Sequence, residues 1–237
     1  MAKEHVFRFK QFSVRQAQSA MRISTDAVVL GALAEGENPR NILDIGTGTG
    51  VLALMLAQRH PASQITAIEP DRASFEEAQA NFSESPWSDR LFIHREKLQT
   101  YQSQTNFDLI ICNPPYFENH PLSHDAHKNK AMHLLELRFE DLVNGIERFS
   151  HADTSVWIIL PKVQMTQLSK MMSFFSWYIQ KEVLLAENQK KGNVRSICHF
   201  VKKPINSTIE QTLFIKDESN NFTNDYISLL KDYLIIF

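Results

Sequence analysis

Residues 41–59, reading NILDIGTGTGVLALMLAQR, restrict the fold of this chain more than any other stretch. Asn41–Ile45 is a short apolar run of the kind that forms a buried strand. Val51–Arg59 carries Leu52, Leu54, Met55 and Leu56 and predicts a helix. Between them lies Asp44-Ile45-Gly46-Thr47-Gly48-Thr49-Gly50. Glycine lets such a turn take up positive φ and lets a ligand approach bare backbone. Strand, glycine loop and helix make a nucleotide-binding βα unit. A glycine loop alone says little, but Asp44 just before it says more. A carboxylate beside the turn can engage an amino-acid ammonium, whereas a dinucleotide would place pyrophosphate at the helix N-terminus.

Gln64–Ile68 predicts a second strand, ending in Glu69-Pro70-Asp71. Glu69 falls about twenty residues past the loop, where an acid can bind both hydroxyls of a ribose. A helix over 72–82, a strand at Leu91–His94 and a strand over 106–112 continue the alternation, so a parallel sheet is expected. The last of these strands runs into Asn113-Pro114-Pro115-Tyr116. The two prolines remove two backbone donors and end strand pairing. They leave an amide, a proline carbonyl and an aromatic face at the strand's C-terminal end. That set suits a planar base with an exocyclic amine. The Asn113 side-chain oxygen and the Pro114 carbonyl can each accept one amino hydrogen, and Tyr116 can stack on the ring. No strong base is required, because the proton becomes acidic only as the nitrogen attacks. An ordinary Pro-Pro turn with a half-buried tyrosine is the plainer reading of the tetrapeptide alone. Glycine loop, Glu69 and NPPY all fall at strand C-terminal ends, the edge where open α/β sheets bind ligands.

Elsewhere the pattern predicts a strand over 5–12 and a small apolar helix after Ser24, Thr25 and Asp26, each a plausible cap. A helix over 136–149, a strand over 155–160 and a helix over 164–174 follow. Strands over 177–185 and 196–201 read as an antiparallel hairpin, 209–215 as an edge strand, and 226–234 as a short helix. A single domain over 1–237 is expected, with a short N-terminal extension of about forty residues.

Composition adds limits. The 237 residues are 43% hydrophobic and 22% charged, with net charge −2, so bulk charge announces no nucleic-acid partner. Locally, residues 1–24 hold Lys3, Arg8, Lys10, Arg15 and Arg22 against Glu4. Residues 187–203 hold Lys190, Lys191, Arg195, Lys202 and Lys203 against Glu187. Either excess reads as a phosphate-binding rim or as solvated surface. The loop 118–130 carries His120, His124 and His127 without a cysteine or acid cluster to complete a metal site, so no metal is expected. No signal-peptide pattern or membrane-length apolar run is present, and Cys112 and Cys198 are the only cysteines. A reduced, cytoplasmic protein without membrane attachment is expected.

Taken together, FRFKQFSV from Phe7, MRISTDAVVLGAL, LDIGTGTG, FDLIICNPPYF and LLKDYL resemble a class I S-adenosylmethionine-dependent methyltransferase of the NPPY type. The chain is most similar to the bacterial family that methylates N6 of adenine 37 in valine tRNA, and the likeness covers nearly its whole length. The resemblance implies a Rossmann-like α/β fold, S-adenosylmethionine as cofactor and tRNA as partner. It implies that Asp44, Gly46, Gly48 and Glu69 hold the cofactor, with Thr25, Asn113 and an acid after the third strand beside it. Asn113, Pro114, Pro115 and Tyr116 would hold the base. The adenine-side acid falls on Glu96, or on Lys97 if the register is one residue later. Met132 stands before His133 where the family commonly has arginine. The alternative is an NPPY enzyme acting on another nucleic-acid base or a protein glutamine. Glutamine enzymes resemble a longer architecture, and about forty residues before Asp44 are too few for their helical substrate domain.

Overall fold

The computed structural model describes residues 5–19, 22–114, 137–190 and 194–237. Its N-terminal strands β1 (Val6–Arg8) and β2 (Ser13–Arg15) precede helix α1 (Thr25–Leu33). The sequence then alternates as β3 (Asn41–Ile45), α2 (Val51–Arg59), β4 (Gln64–Ile68), α3 (Arg72–Ser83), β5 (Leu91–His94) and β6 (Leu109–Cys112). Beyond these come α4 (Phe139–Phe149), β7 (Ser155–Pro161), α5 (Lys162–Ser173), β8 (Tyr178–Ala186), β9 (Arg195–Val201), β10 (Ile209–Phe214) and α6 (Asn224–Leu230).

The last eight strands form one sheet in the order β10-β8-β9-β7-β6-β3-β4-β5. All its pairings are parallel except those of β9 with β7 and β8. This is the expected α/β architecture with its antiparallel hairpin. Strand β6 shows why its residues read as an unbroken apolar run. Leu109 and Ile111 pack into one core with α1, α2 and α6, while Ile110 and Cys112 pack into the opposite core with α4 and α5. Both faces of an interior parallel strand are covered, so both are mostly apolar, and a polar exception such as Asp44 in β3 stands out.

Several elements differ from the sequence expectation by a few residues, and three of the differences have a visible local cause. The strand over 5–12 is a hairpin, because Phe9 N donates to Phe12 O at 2.9 Å and turns the chain before β2. Phe9 and Phe12 then stack at 4.3 Å, and Phe9 bridges Leu234 near the C-terminus. Strand β6 starts at Leu109 because the Asp108 carboxylate turns back to accept the amides of Arg40 (2.7 Å) and Asn41 (2.8 Å). The last helix begins earlier, capped by Thr223 accepting from Tyr226 N, and ends at Leu230.

Candidate active site

Strands β3 and β6 are neighbours, and their register pairs Ile45 with Cys112. The residues that follow each strand are therefore adjacent, so Gly46–Thr49 and Asn113–Pro114 line one cleft of about 150 Å³. Its other wall is Arg22–Ser24, Asp26 and Ala27, at the start of α1.

The glycine loop is held from below. Gly46 N and Thr47 N both donate to Ile68 O, at 2.9 and 3.2 Å. Gly48 and Gly50 have φ of 56° and 85°. A Cβ on Gly48 would meet nothing within 4 Å, so that side of the loop is open. A Cβ on Gly50 would lie 2.5 Å from Phe82 Cε1, so its constraint is packing against α3.

Two buried acids flank the loop. Asp44 Oδ2 accepts from Thr47 Oγ1 at 2.5 Å, while Oδ1 is buried with no partner. Burial pushes the Asp44 carboxyl up to about 7, against the Thr47 hydroxyl and the nearby Ala53 amide and with the help of the Glu69 charge. A buried polar atom without a partner is costly and marks a place where a ligand group can supply one. Glu69 accepts from Gly48 N through Oε2 and from Asp71 N through Oε1, both at 2.9 Å. Burial raises its carboxyl above the usual range, with those two amides opposing. Cys112, beside them, donates to Ile45 O at 3.3 Å, and burial with the Asp44 charge keeps it a thiol.

The structure thus brings Asp44, Gly46, Gly48, Glu69, Asn113 and Pro114 to one sheet edge; Gly46, Gly48, Asn113 and Pro114 line the cleft, whereas Asp44 and Glu69 are buried beside the loop and do not line it. Thr25 is exposed and does not line the cleft, although Ser24 and Asp26 on either side of it do. Ser24 is the cap of α1, its Oγ accepting from Ala27 N. Glu96 is exposed beyond the C-terminal end of β5, and Lys97 is partly buried. Pro115 and Tyr116, the histidine-bearing loop, Met132, His133, Lys3 and Lys191 lie outside the described residues.

The two basic stretches divide when folded. Arg15 pairs with Glu84 at 2.8 Å, whereas Arg22 reaches the cleft. In β9, Arg195 pairs with Pro161 at the C-terminal end of β7, so the turn between β8 and β9 lies on the cleft edge. Arg195 Nε donates to Asp26 Oδ2 at 3.1 Å, fastening that turn to the cleft wall across 169 residues. Lys202 and Lys203 fall beyond the other end of β9, neutralised by Glu147 and Asp153 at 2.6 Å each. No local pattern reveals the Arg195 contact. The cleft role of Arg22–Asp26 has one local signal, the capping residues before α1.

Among the described residues, no group of three His, Cys, Asp or Glu could hold a metal, and no helix is long and apolar enough to cross a membrane.

Comparison with known proteins bears on the family and the fold. Residues 19–136 match the family model of the methyltransferase small domain. The tRNA1(Val) (adenine(37)-N6)-methyltransferase of Pseudoalteromonas translucida is 37% identical, over 97% of this chain and 98% of its own length. The protein of the same name from Dyadobacter fermentans is 36% identical over 100% of both chains. Among solved structures, a predicted O-methyltransferase from Agrobacterium tumefaciens superposes with TM-score 0.67 at 17% identity, covering 88% of this chain and 96% of its own. That likeness carries the Rossmann-like methyltransferase fold. With near-full-length relatives above 30% identity, the chain belongs to the tRNA1(Val) (adenine(37)-N6)-methyltransferase family.

Proposed function

We propose that this chain, acting as one methyltransferase unit, transfers a methyl group from S-adenosylmethionine to N6 of adenine 37 in tRNA(Val). The observation that carries the reading is the Ile45–Cys112 register, which sets the glycine loop beside Asn113 and Pro114. The names of the near-full-length relatives support the substrate over another base or a protein glutamine. A tRNA substrate implies a cytoplasmic enzyme.

The residues fit the cofactor. Asp44 Oδ1, buried without a partner, suits the ammonium of an amino acid, and Glu69 retains lone pairs for ribose hydroxyls. Gly48 leaves room above its backbone. Glu96 remains the candidate adenine-side acid, and Thr25 would act only through its neighbours at the start of α1. S-adenosylmethionine, when bound, supplies an electrophilic methyl group. Asn113 Oδ1 and the Pro114 carbonyl accept the two amino hydrogens of adenine and restore lone-pair density to N6. Tyr116 would stack on the base, with Pro115 stiffening the turn. On transfer the methyl–sulfur bond would break and S-adenosylhomocysteine would leave as the N–C bond forms; N6 would then be cationic, and the proton held by one of these oxygens would pass to water.

The sheet order supports one path for the RNA. The cofactor residues occupy β3 and β4, and the base would sit at the end of β6. The RNA backbone then leaves over β7, β9 and β8. There Lys162, just after β7, and Lys190, in the β8–β9 turn, present exposed cations. A nearly neutral protein needs such local charge to offset the cost of turning a base outward.

The test is methyl transfer from labelled S-adenosylmethionine to unmodified tRNA(Val), followed by nucleoside mass spectrometry. N6-methyladenosine at position 37 is expected. Methylation of a different base, or of none, overturns the reading.

A further inference from the structure

The cleft wall formed by Arg22–Ser24 belongs to a strap running from β2 to α1, and among its described residues the one apolar side chain packed against the core is the partly buried Ile23. Between Val14 and Ala27 no described residue is buried. What holds it is α3. The buried Glu77 carboxylate accepts from Ala17 N (2.6 Å), Gln18 N (3.0 Å) and Ser19 N (2.9 Å), and also from the Ser19 hydroxyl. Burial pushes the Glu77 carboxyl up, but the bonds from Ser19, Gln18 and Ala17 outweigh it and hold it below the usual range. One turn further along α3, the buried Asn81 accepts from Arg15 N at 2.9 Å and donates to Arg15 O at 3.0 Å. The same Asn81 amide donates to Thr49 O at 2.9 Å, in the glycine loop. Gln16 Oε1 closes the strap by accepting from Ile23 N at 2.9 Å.

We propose that Glu77 and Asn81 are positioning residues for the cofactor site: they hold the 15–19 strap against α3, so that Arg22–Ser24 stand opposite the glycine loop as a wall of the cleft. Neither touches the cleft. Asn81 couples the two walls directly, because one amide bonds both the strap and the loop. The fastening is polar and local, so releasing it opens the wall without emptying the core. This inference rests on the cofactor reading above.

The probes are Glu77→Gln and Asn81→Asp. The first turns an NH2 towards strap N–H groups that now find a carboxylate oxygen. The second sets a carboxylate against the carbonyls of Arg15 and Thr49. Titration calorimetry with S-adenosylhomocysteine should show roughly ten-fold weaker binding in each. Under saturating cofactor, kcat should stay within two-fold, and the thermal midpoint should move little. Glu84→Ala, which removes only the exposed pair with Arg15, should bind like the wild type. In the wild type, hydrogen exchange at the amides of residues 17–19 and 23 should slow when S-adenosylhomocysteine binds. If the wild type binds no S-adenosylhomocysteine, the cofactor reading fails. If the wild type binds but both variants match it, or lose only thermal stability, or exchange at those amides ignores the ligand, the positioning role is overturned.

Discussion

The amide of Gly48 donates to Oε2 of Glu69 at 2.9 Å, so the acid that ends β4 holds the loop that ends β3. Its other oxygen takes the amide of Asp71. One carboxylate thereby fixes the loop, and in the proposed cofactor site it would also accept from the ribose hydroxyls. Glu69→Gln, which turns an NH2 towards one of those amides, should weaken S-adenosylhomocysteine binding about ten-fold. Glu69→Ala should weaken it about a hundred-fold, since loop anchor and acceptor go together. Equal affinity of both variants with the wild type in calorimetry would leave Glu69 a loop anchor alone.

Asn113→Ala should lower kcat by about 10²-fold or more, with cofactor affinity nearly unchanged, because the lost acceptor acts on the reacting amine. Single-turnover methylation of tRNA measures this. Activity within a few-fold of wild type would make Asn113 a structural residue of the turn.

Cofactor binding should tighten as pH rises. Burial holds Asp44 protonated up to about 7, whereas a cofactor ammonium favours the ionised form. Binding therefore releases a proton below pH 7, and affinity should climb by up to about ten-fold per pH unit between 6 and 7, then level off. Asp44→Asn should bind more weakly and show a flat profile. Calorimetry in buffers of different ionisation enthalpy counts the proton, and a flat wild-type profile would remove Asp44 from the ammonium site.

Stability should fall on acidification through His199. Its ring stacks on Trp157 at 4.6 Å with 7° between planes, and burial, aided by the Lys181 charge, lowers its pKa from 6.5 to about 4. The folded state thus keeps the ring neutral while the unfolded state takes a proton. Its contribution is complete above pH 6.5 and is lost as pH falls towards 4, by up to about 3 kcal/mol. Asp44 has the opposite sign, stabilising most below its ordinary 3.8 and losing that contribution as pH rises through about 7. In urea unfolding at pH 7, 6 and 5, His199→Phe should lose less stability than the wild type. Parallel losses would locate the acid sensitivity elsewhere.

Reversing charge on the cleft edge should weaken RNA binding without touching the cofactor. Lys162→Glu with Lys190→Glu should lower tRNA affinity and flatten its salt dependence, by roughly 0.7–0.9 in slope for each phosphate no longer neutralised. Lys170→Glu, in the last turn of α5 and so at the other edge, should change neither. Filter binding over a salt series decides, and equal slopes for the double variant and Lys170→Glu would rule out docking over β7–β9.

Much of this was legible locally. Strands Asn41–Ile45, Gln64–Ile68 and Leu91–His94 and helix Val51–Arg59 have the bounds that the residues alone predict. Interior parallel strands are mostly apolar on both faces, and glycine or proline follows β3, β4 and β6 where the chain leaves the sheet. Asp44, Glu69 and Asn113 stand out as candidates for the same reason: each sits next to such punctuation.

Other features depend on register and on side chains meeting across long separations, which no periodicity encodes. The stretch 187–203 reads as one basic segment, yet strand β9 spans it and sends Lys190 and Arg195 to the cleft edge and Lys202 and Lys203 to the far one. Thr25 reads as a site residue, but helix phase turns it out to solvent while Ser24 and Asp26 line the cleft. Nothing in the predicted helix over 72–82 singles out Glu77 and Asn81; only the packing of α3 against the strap makes them the acceptors of its amides. Sequence determined which groups the chain brings to its ligand edge, because those lie beside their own strands. Tertiary structure decided what stands opposite them, because a cleft's second wall arrives from another part of the chain.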